Sequence, residues 1–230
     1  MKIIDPCFEI LDMADGAEIL RRIETAGRVC YKSENRIAPD SAPKFVRELM
    51  RSGHHSVIEH AGATVRIVCD RGVTHELVRH RLASYSQEST RYAHYGREKF
   101  DKEITVIRPC FWPEGSPEYA LWHKAMLAAE QAYLTLTANG ASAQQARSVL
   151  PNSLKTEIVV TCNLREWRHI FGMRCGPAAH PQIRQIALPL LAQMHKRVPE
   201  IFADIFAQFE NDISRKIFCN QDNRMNEITH

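Results

Sequence analysis

The chain has 230 residues, 44% hydrophobic and 25% charged, with 30 basic side chains against 27 acidic ones. This is the composition of an ordinary folded protein: disorder needs low hydrophobicity with high net charge, and a net charge of +3 makes no general coat for nucleic acid. No apolar run approaches the roughly 20 residues that span a bilayer, and an N-terminus carrying Asp5 and Glu9 does not read as a signal peptide, so a cytoplasmic location without membrane contact is expected.

With no repeat, low-complexity tract or Gly/Ser linker, one domain over 1–230 is expected. Residues 1–12 alternate loosely through Ile3, Ile4, Phe8 and Ile10 and predict a strand. Helices are predicted over 16–28 and 42–52, the second opening around Pro43 and stopping at Gly53. The β-branched run 63–69 predicts a strand and 72–83 a helix. Residues 84–97, rich in Ser, Tyr and Arg, read as a long loop, and 104–108 as a short strand. Over 117–138, Tyr119, Trp122, Met126, Ala129, Tyr133 and Leu136 recur at helical spacing behind Ser116 and Pro117, which predicts a capped helix with a core stripe. A short helix over 142–149, a strand over 154–162 and a helix over 164–174 follow. The Asn163–Glu166 spacing has the form of a capping box. Residues 182–210 read as helix interrupted at Pro189 and Pro199. The class expected is mixed α/β (α+β).

The 7 cysteines are odd in number and contain no C-x-x-C pair, so reduced, buried and inert thiols are expected rather than a disulfide framework or a zinc finger. Neither a G-x-G-x-x-G nor a P-loop pattern is present, and no serine sits in a nucleophile elbow. Three polar clusters remain. The densest is 74–97. Arg79, His80 and Arg81 at a helix end running into a loop can wrap one anionic ligand, and Ser84, Ser86, Gln87, Ser89 and Arg91 add the hydrogen-bonders that a nucleotide needs. A solvated basic turn is the plain alternative. The second cluster, His54, His55, Glu59 and His60, matches no metal template. The third is Arg147 with Asn163, Arg165, His169 and Arg174. Arg165 and His169 share a helix face, and Asn163 stands where helix N–H groups favour an anion or a ring carbonyl.

Arg79-His80-Arg81, followed after seven residues by Ser89, resembles the signature of the flavin-dependent thymidylate synthases. The likeness continues through Ser84–Tyr92, Gly53-His54-x-Ser56-x-x-Glu59-His60, Ala146-Arg147-x-Val149-Leu150-Pro151, Asn163-Leu164-Arg165, and Arg174 with Ile183-Arg184. It implies a central antiparallel sheet flanked by helices, and a homotetramer that binds FAD at subunit junctions. It further implies methylation of dUMP to dTMP with methylenetetrahydrofolate as carbon donor and NADPH as reductant, tetrahydrofolate being released. By the same resemblance Ser56, Arg79, His80, Arg81, Gln87, Asn163, Arg165 and His169 would contact FAD. Glu76, Arg79, Gln87, Glu88, Ser89, Thr90, Arg91, Arg147 and Arg174 would contact dUMP, the loop residues reaching it from a neighbouring subunit. Arg174 would activate the pyrimidine, so no catalytic cysteine and no metal are called for. Gln87 stands where some members carry Glu, Glu76 where some carry Gln, and Ala178-Ala179-His180-Pro181 replaces a more usual Ala-Gln-Trp-Glu. Two other classes compete: an RNA-binding module using the 79–97 arginines with Tyr85, Tyr92 and Tyr95 as stacking platforms, and a metal hydrolase on His54, His55 and His60.

Overall fold

Where the alternation predicts one N-terminal strand, there are two, β1 (Lys2–Ile4) and β2 (Cys7–Asp12). Pro6 lies between them and has no N–H to continue a ladder. The computed structural model describes residues 1–226, with the side chains of 1–98 and 100–214. The chain forms two compact units, each gathered from separate stretches. The first contains 1–9, 66–79 and 85–160; the second contains 10–65, 80–84 and the residues from Thr161 onward. Four strands, β2, β3 (Gly62–Asp70), β6 (Lys155–Asn163) and β4 (Ala83–Gln87), hydrogen-bond in the order β2-β3-β6-β4 as an antiparallel sheet. The sequence does not announce a second, two-stranded ribbon, in which β1 pairs in parallel with β5 (Thr105–Ile107), Lys2 opposite Thr105.

In the first unit, α3 (Arg71–Leu77) is capped by Asp70, whose Oδ1 accepts from Val73 N at 2.8 Å. The helix is shorter than the predicted 72–83. The Tyr85 hydroxyl donates to the Leu77 carbonyl at 2.7 Å, satisfying a terminal acceptor, and the chain then extends into β4, which takes up the start of the expected 84–97 loop. The predicted 117–138 helix is α4 (Pro117–Ala138), with the Ser116 hydroxyl accepting from Tyr119 N at 3.1 Å. Its stripe buries Trp122, Met126 and Tyr133 against Ile104, Val106 and Leu154. Burying each such side chain contributes about 1.5–3 kcal/mol. Leu136, at the stripe's end, is 37% exposed. The α5 turn (Ala143–Ala146) carries its own capping box between Ser142 and Gln145.

In the second unit, α1 (Gly16–Tyr31) starts on Asp15 and α2 (Ser41–Arg51) ends before Gly53, whose φ of +74° suits a residue without Cβ. The buried Glu24 carboxylate joins the two helices, taking Arg28 at 2.7 Å on one oxygen and the Ser41 hydroxyl at 2.8 Å on the other. α6 (Leu164–Arg174) buries Trp167 and Phe171, with Phe202 edge-on to Phe171 at 5.9 Å. α7 (Pro181–Arg197) runs through Pro189 instead of breaking there, and α8 (Pro199–Asn226) follows. Arg168 ties α6 to α8: it pairs with Asp204 through two nitrogens at 2.6 and 2.7 Å and also donates to the Ile201 carbonyl.

Candidate functional site

The second unit gathers its candidates around α6. Asn163 is the N-cap. Its side-chain oxygen accepts from Glu166 N at 2.9 Å, which leaves its amide NH₂ to face an acceptor. The other half of the expected capping box does not form, because the Glu166 carboxylate faces His80 instead. Two residues on from Asn163, Arg165 pairs with Glu59 at 2.5 Å with its side chain about half exposed, and one turn further His169 lies exposed on the same helix face. Beside Arg165, an open cleft of about 340 Å³ is lined by Gly27, Tyr31, Gly53, His54 and Ser56. His54 Nδ1 meets the Tyr31 hydroxyl at 2.8 Å in the wall of this cleft.

At the far end of α6, the half-buried Arg174 donates from Nε to His80 Nε2 at 3.1 Å. His80 is 5% exposed. Burial first, then the charge of Arg174 and the neighbouring His169, pull its pKa down to about 4, so the imidazole is neutral at neutral pH. Arg81, a residue on, is exposed. Of the residues predicted on the FAD side in this unit, the fold thus brings Ser56 to Arg165 and His80 to His169 and Arg174. Sequence reasoning missed Glu166 as anything beyond a cap; a carboxylate at a helix start is too common for its burial to be foreseen.

The first unit holds the other set. Gln87, Glu88 and Ser89 line a cleft of about 730 Å³ together with Tyr92, His94, Arg97, Lys155 and Glu157. Gln87 is anchored inward, its amide nitrogen on the Thr74 hydroxyl at 3.0 Å and on Thr156 at 3.3 Å. Both oxygens of Glu88 are engaged within the unit, one by the Tyr95 hydroxyl at 3.1 Å and one by Lys155 Nζ at 3.1 Å. Its amide donates to the Glu157 carbonyl at 2.8 Å. Glu88 therefore serves first to pin the loop that carries Ser89, whose hydroxyl accepts from Arg91 N at 3.3 Å. Thr90 is buried, Glu76 is half-buried on α3, and Arg79, Arg91 and Arg147 are exposed. Lys155, Glu157 and Val159 escaped notice in the sequence, although period-2 spacing puts them on one strand face.

Burial pulls Lys155 down, but its bonds to Glu157 and Glu88 outweigh that and leave its pKa above the ordinary lysine value; Glu157 is held below the usual carboxylate range chiefly by the same lysine. Lys155→Met removes the charge between two carboxylates. Hydrogen exchange of the Glu88–Ala93 amides is expected to speed up about 10- to 100-fold at pH 7. Glu157's folded pKa is depressed, so this contribution is present above the ordinary glutamate value and fades as pH falls through the lowered one. Exchange at wild-type rates in the variant would show that the triad does not hold the loop.

Buried, inert thiols were expected throughout. Cys69, Cys162 and Cys175 are buried, and burial drives the first two far up in pKa; Cys7, Cys30 and Cys110 are exposed, and Cys219 lies outside the described side chains. Among the described residues, the group that could hold a metal is His80, Glu166 and His169, with one ligand atom from each within 4.8 Å of the others, not the histidines of 54–60. No helix among the described residues is long and apolar enough to cross a membrane.

Residues 10–200 match the family model described as thymidylate synthase complementing protein. The chain is 40% identical over 210 residues to a flavin-dependent thymidylate synthase of Mycobacteroides abscessus, covering 83% of this chain and 80% of that one. It is 36% identical over 189 residues to that of Geobacter sulfurreducens, covering 79% and 80%. Among solved structures it is similar to the UMP/dUMP methylase PolB from Streptomyces cacaoi bound with 5-Br dUMP, with a TM-score of 0.73, 25% identity, and 91% of this chain and 98% of that one covered. The fold, the order of its motifs and these likenesses place the chain in the flavin-dependent thymidylate synthase family of methyltransferase enzymes.

Proposed function

We propose that this enzyme methylates dUMP to dTMP, taking the carbon from methylenetetrahydrofolate and reducing power from NADPH through bound FAD. The observation that carries the reading is the arrangement on α6: donors at its start (Asn163, Arg165), His169 one turn on, and Arg174 at its end, held through Nε. The residues present fit a flavin nucleotide. Ser56 and Arg165 on the cleft, the Asn163 amide at a helix N-terminus and the exposed Arg81 form a donor set suited to phosphate and ring carbonyls. Bound FAD would supply the hydride chemistry, and the protein's part is orientation and charge. The Arg174 guanidinium would favour the electron-rich, N3-deprotonated pyrimidine. Ser89, Thr90 and Arg91, with Glu76, Arg79, Gln87 and Arg147, would hold the nucleotide. Glu88 would keep the loop in shape, and the loop would serve a neighbouring subunit of a homotetramer. The chain would act as one domain in the cytoplasm.

The RNA-binding alternative loses its stacking platforms. Tyr95 is 5% exposed with its hydroxyl on Glu88, and the Tyr85 hydroxyl is spent on Leu77; of the three rings only Tyr92 is exposed. The test is a titration of flavin-free protein with FAD, wild type against Arg165→Ala. Wild type should turn yellow at one FAD per chain, and the variant should bind about tenfold more weakly. Equal affinities would remove Arg165 from the site, and a wild type that takes up no FAD would overturn the reading.

A further inference from the structure

Glu166 is 6% exposed and presents its carboxylate to His80 Nδ1 at 3.5 Å. On the opposite edge of that imidazole, Nε2 accepts from Arg174 Nε at 3.1 Å. A guanidinium only donates, so Nε2 is the unprotonated nitrogen, and a neutral ring then carries its single proton on Nδ1, toward the carboxylate. Burial keeps the ring neutral at neutral pH. The three groups thus form one directed line from the first turn of α6 to its last residue.

We propose that Glu166 and His80 are positioning residues for Arg174: the carboxylate holds the Nδ1–H tautomer, and the imidazole holds the plane of the guanidinium that meets the pyrimidine. The inference rests on the thymidylate synthase reading and deepens it. It gives His80 a different role from the flavin contact expected by resemblance, because the ring is buried and both nitrogens face protein groups. In the other tautomer Nε2–H would confront Nε–H, two donors 3.1 Å apart, and Arg174 would leave its place. A divalent cation on His80, Glu166 and His169 is the competing use of these side chains. It would sit against the positive charge of Arg174, which already donates to the same ring.

The experiment compares wild type, Glu166→Leu and Glu166→Gln. Four quantities are read: FAD per chain, KM for dUMP, the rate of dTMP formation, and the His80 tautomer by nitrogen NMR of histidine-labelled protein. Wild type should show Nδ1–H. Glu166→Leu should keep its FAD and its KM, lose about 10- to 100-fold in kcat, and show a mixed tautomer. Glu166→Gln retains an acceptor oxygen and should recover most of that loss. Full turnover in Glu166→Leu, an Nε2–H ring in wild type, or equal losses in both variants together with loss of FAD would overturn the positioning role. So would one tightly bound Zn²⁺ per chain that raises turnover and disappears in Glu166→Leu. A wild type that forms no dTMP would refute the functional reading instead, while the tautomer signal still decides whether the line from Glu166 through His80 to Arg174 exists.

Discussion

Arg174→Ala is expected to purify with its full complement of FAD and to form dTMP about 10²- to 10³-fold more slowly than wild type, the loss typical of removing one group aimed at developing charge. Arg174 ends α6, where the helix dipole favours a cation, and its Nε–H bond to His80 fixes the plane of the guanidinium. Removing it leaves the flavin contacts proposed at Ser56, Asn163 and Arg165 in place, which is why cofactor content and turnover should separate. Arg174→Lys restores the charge without the planar fork or an Nε–H, so it should recover less than a tenth of the lost rate. Single-turnover formation of dTMP checks this. Full activity in Arg174→Ala would take the pyrimidine away from this side chain.

Arg168→Ala should lower stability by about 2 kcal/mol, because a buried, doubly bonded guanidinium is lost while its carboxylate partner is 60% exposed and stays solvated, or about 4–8 °C in melting temperature for a chain of this size. The guanidinium is 9% exposed and pairs with both oxygens of Asp204 on the next-but-one helix. Its removal also leaves the Ile201 carbonyl without that donor. Arg168 holds Asp204 below the ordinary carboxylate range. A depressed carboxylate contributes its stability above the unfolded pKa and loses it as pH falls through the folded one, so the gap between wild type and variant should be full at pH 7 and narrow at strongly acidic pH. His80 acts in a higher window. Its folded pKa of about 4 lies below the ordinary histidine value, so the neutral form it needs becomes costly to keep as pH drops below about 6.5, before Asp204 titrates. Melting scans across pH separate the two. A variant as stable as wild type at pH 7 would mean that helix packing alone holds α8 to α6.

Much of the fold could be read from local chemistry. Ser116-Pro117 and the Trp122–Met126–Tyr133 spacing define α4, and Asn163 marks the start of α6, because caps and helical periodicity are short-range signals. The misreadings came from long-range bonds. Residues 83–87 look like loop on composition, with Ser84, Tyr85 and Ser86, but pair as β4 in a sheet whose neighbouring strand β6 lies some 70 residues on. Pro189 looks like a break but lies within α7, in a stretch where Ile186, Ala187, Leu188, Leu190 and Leu191 are all buried. The site divides in the same way. The candidates Asn163, Arg165, His169 and Arg174 could be grouped by their spacing along one helix. Glu166 was masked by its fitness as a cap, and Lys155 by a strand in which its partners, Glu88 and Glu157, come from different sequence neighbourhoods.

The most direct measurement is an anaerobic spectral titration of the purified protein with bound FAD. NADPH should bleach the flavin bands. Adding dUMP with methylenetetrahydrofolate should bring them back, with one dTMP formed per flavin reoxidised. A flavin that stays reduced under those additions, or one that reoxidises with dUMP left unchanged, would contradict the assignment.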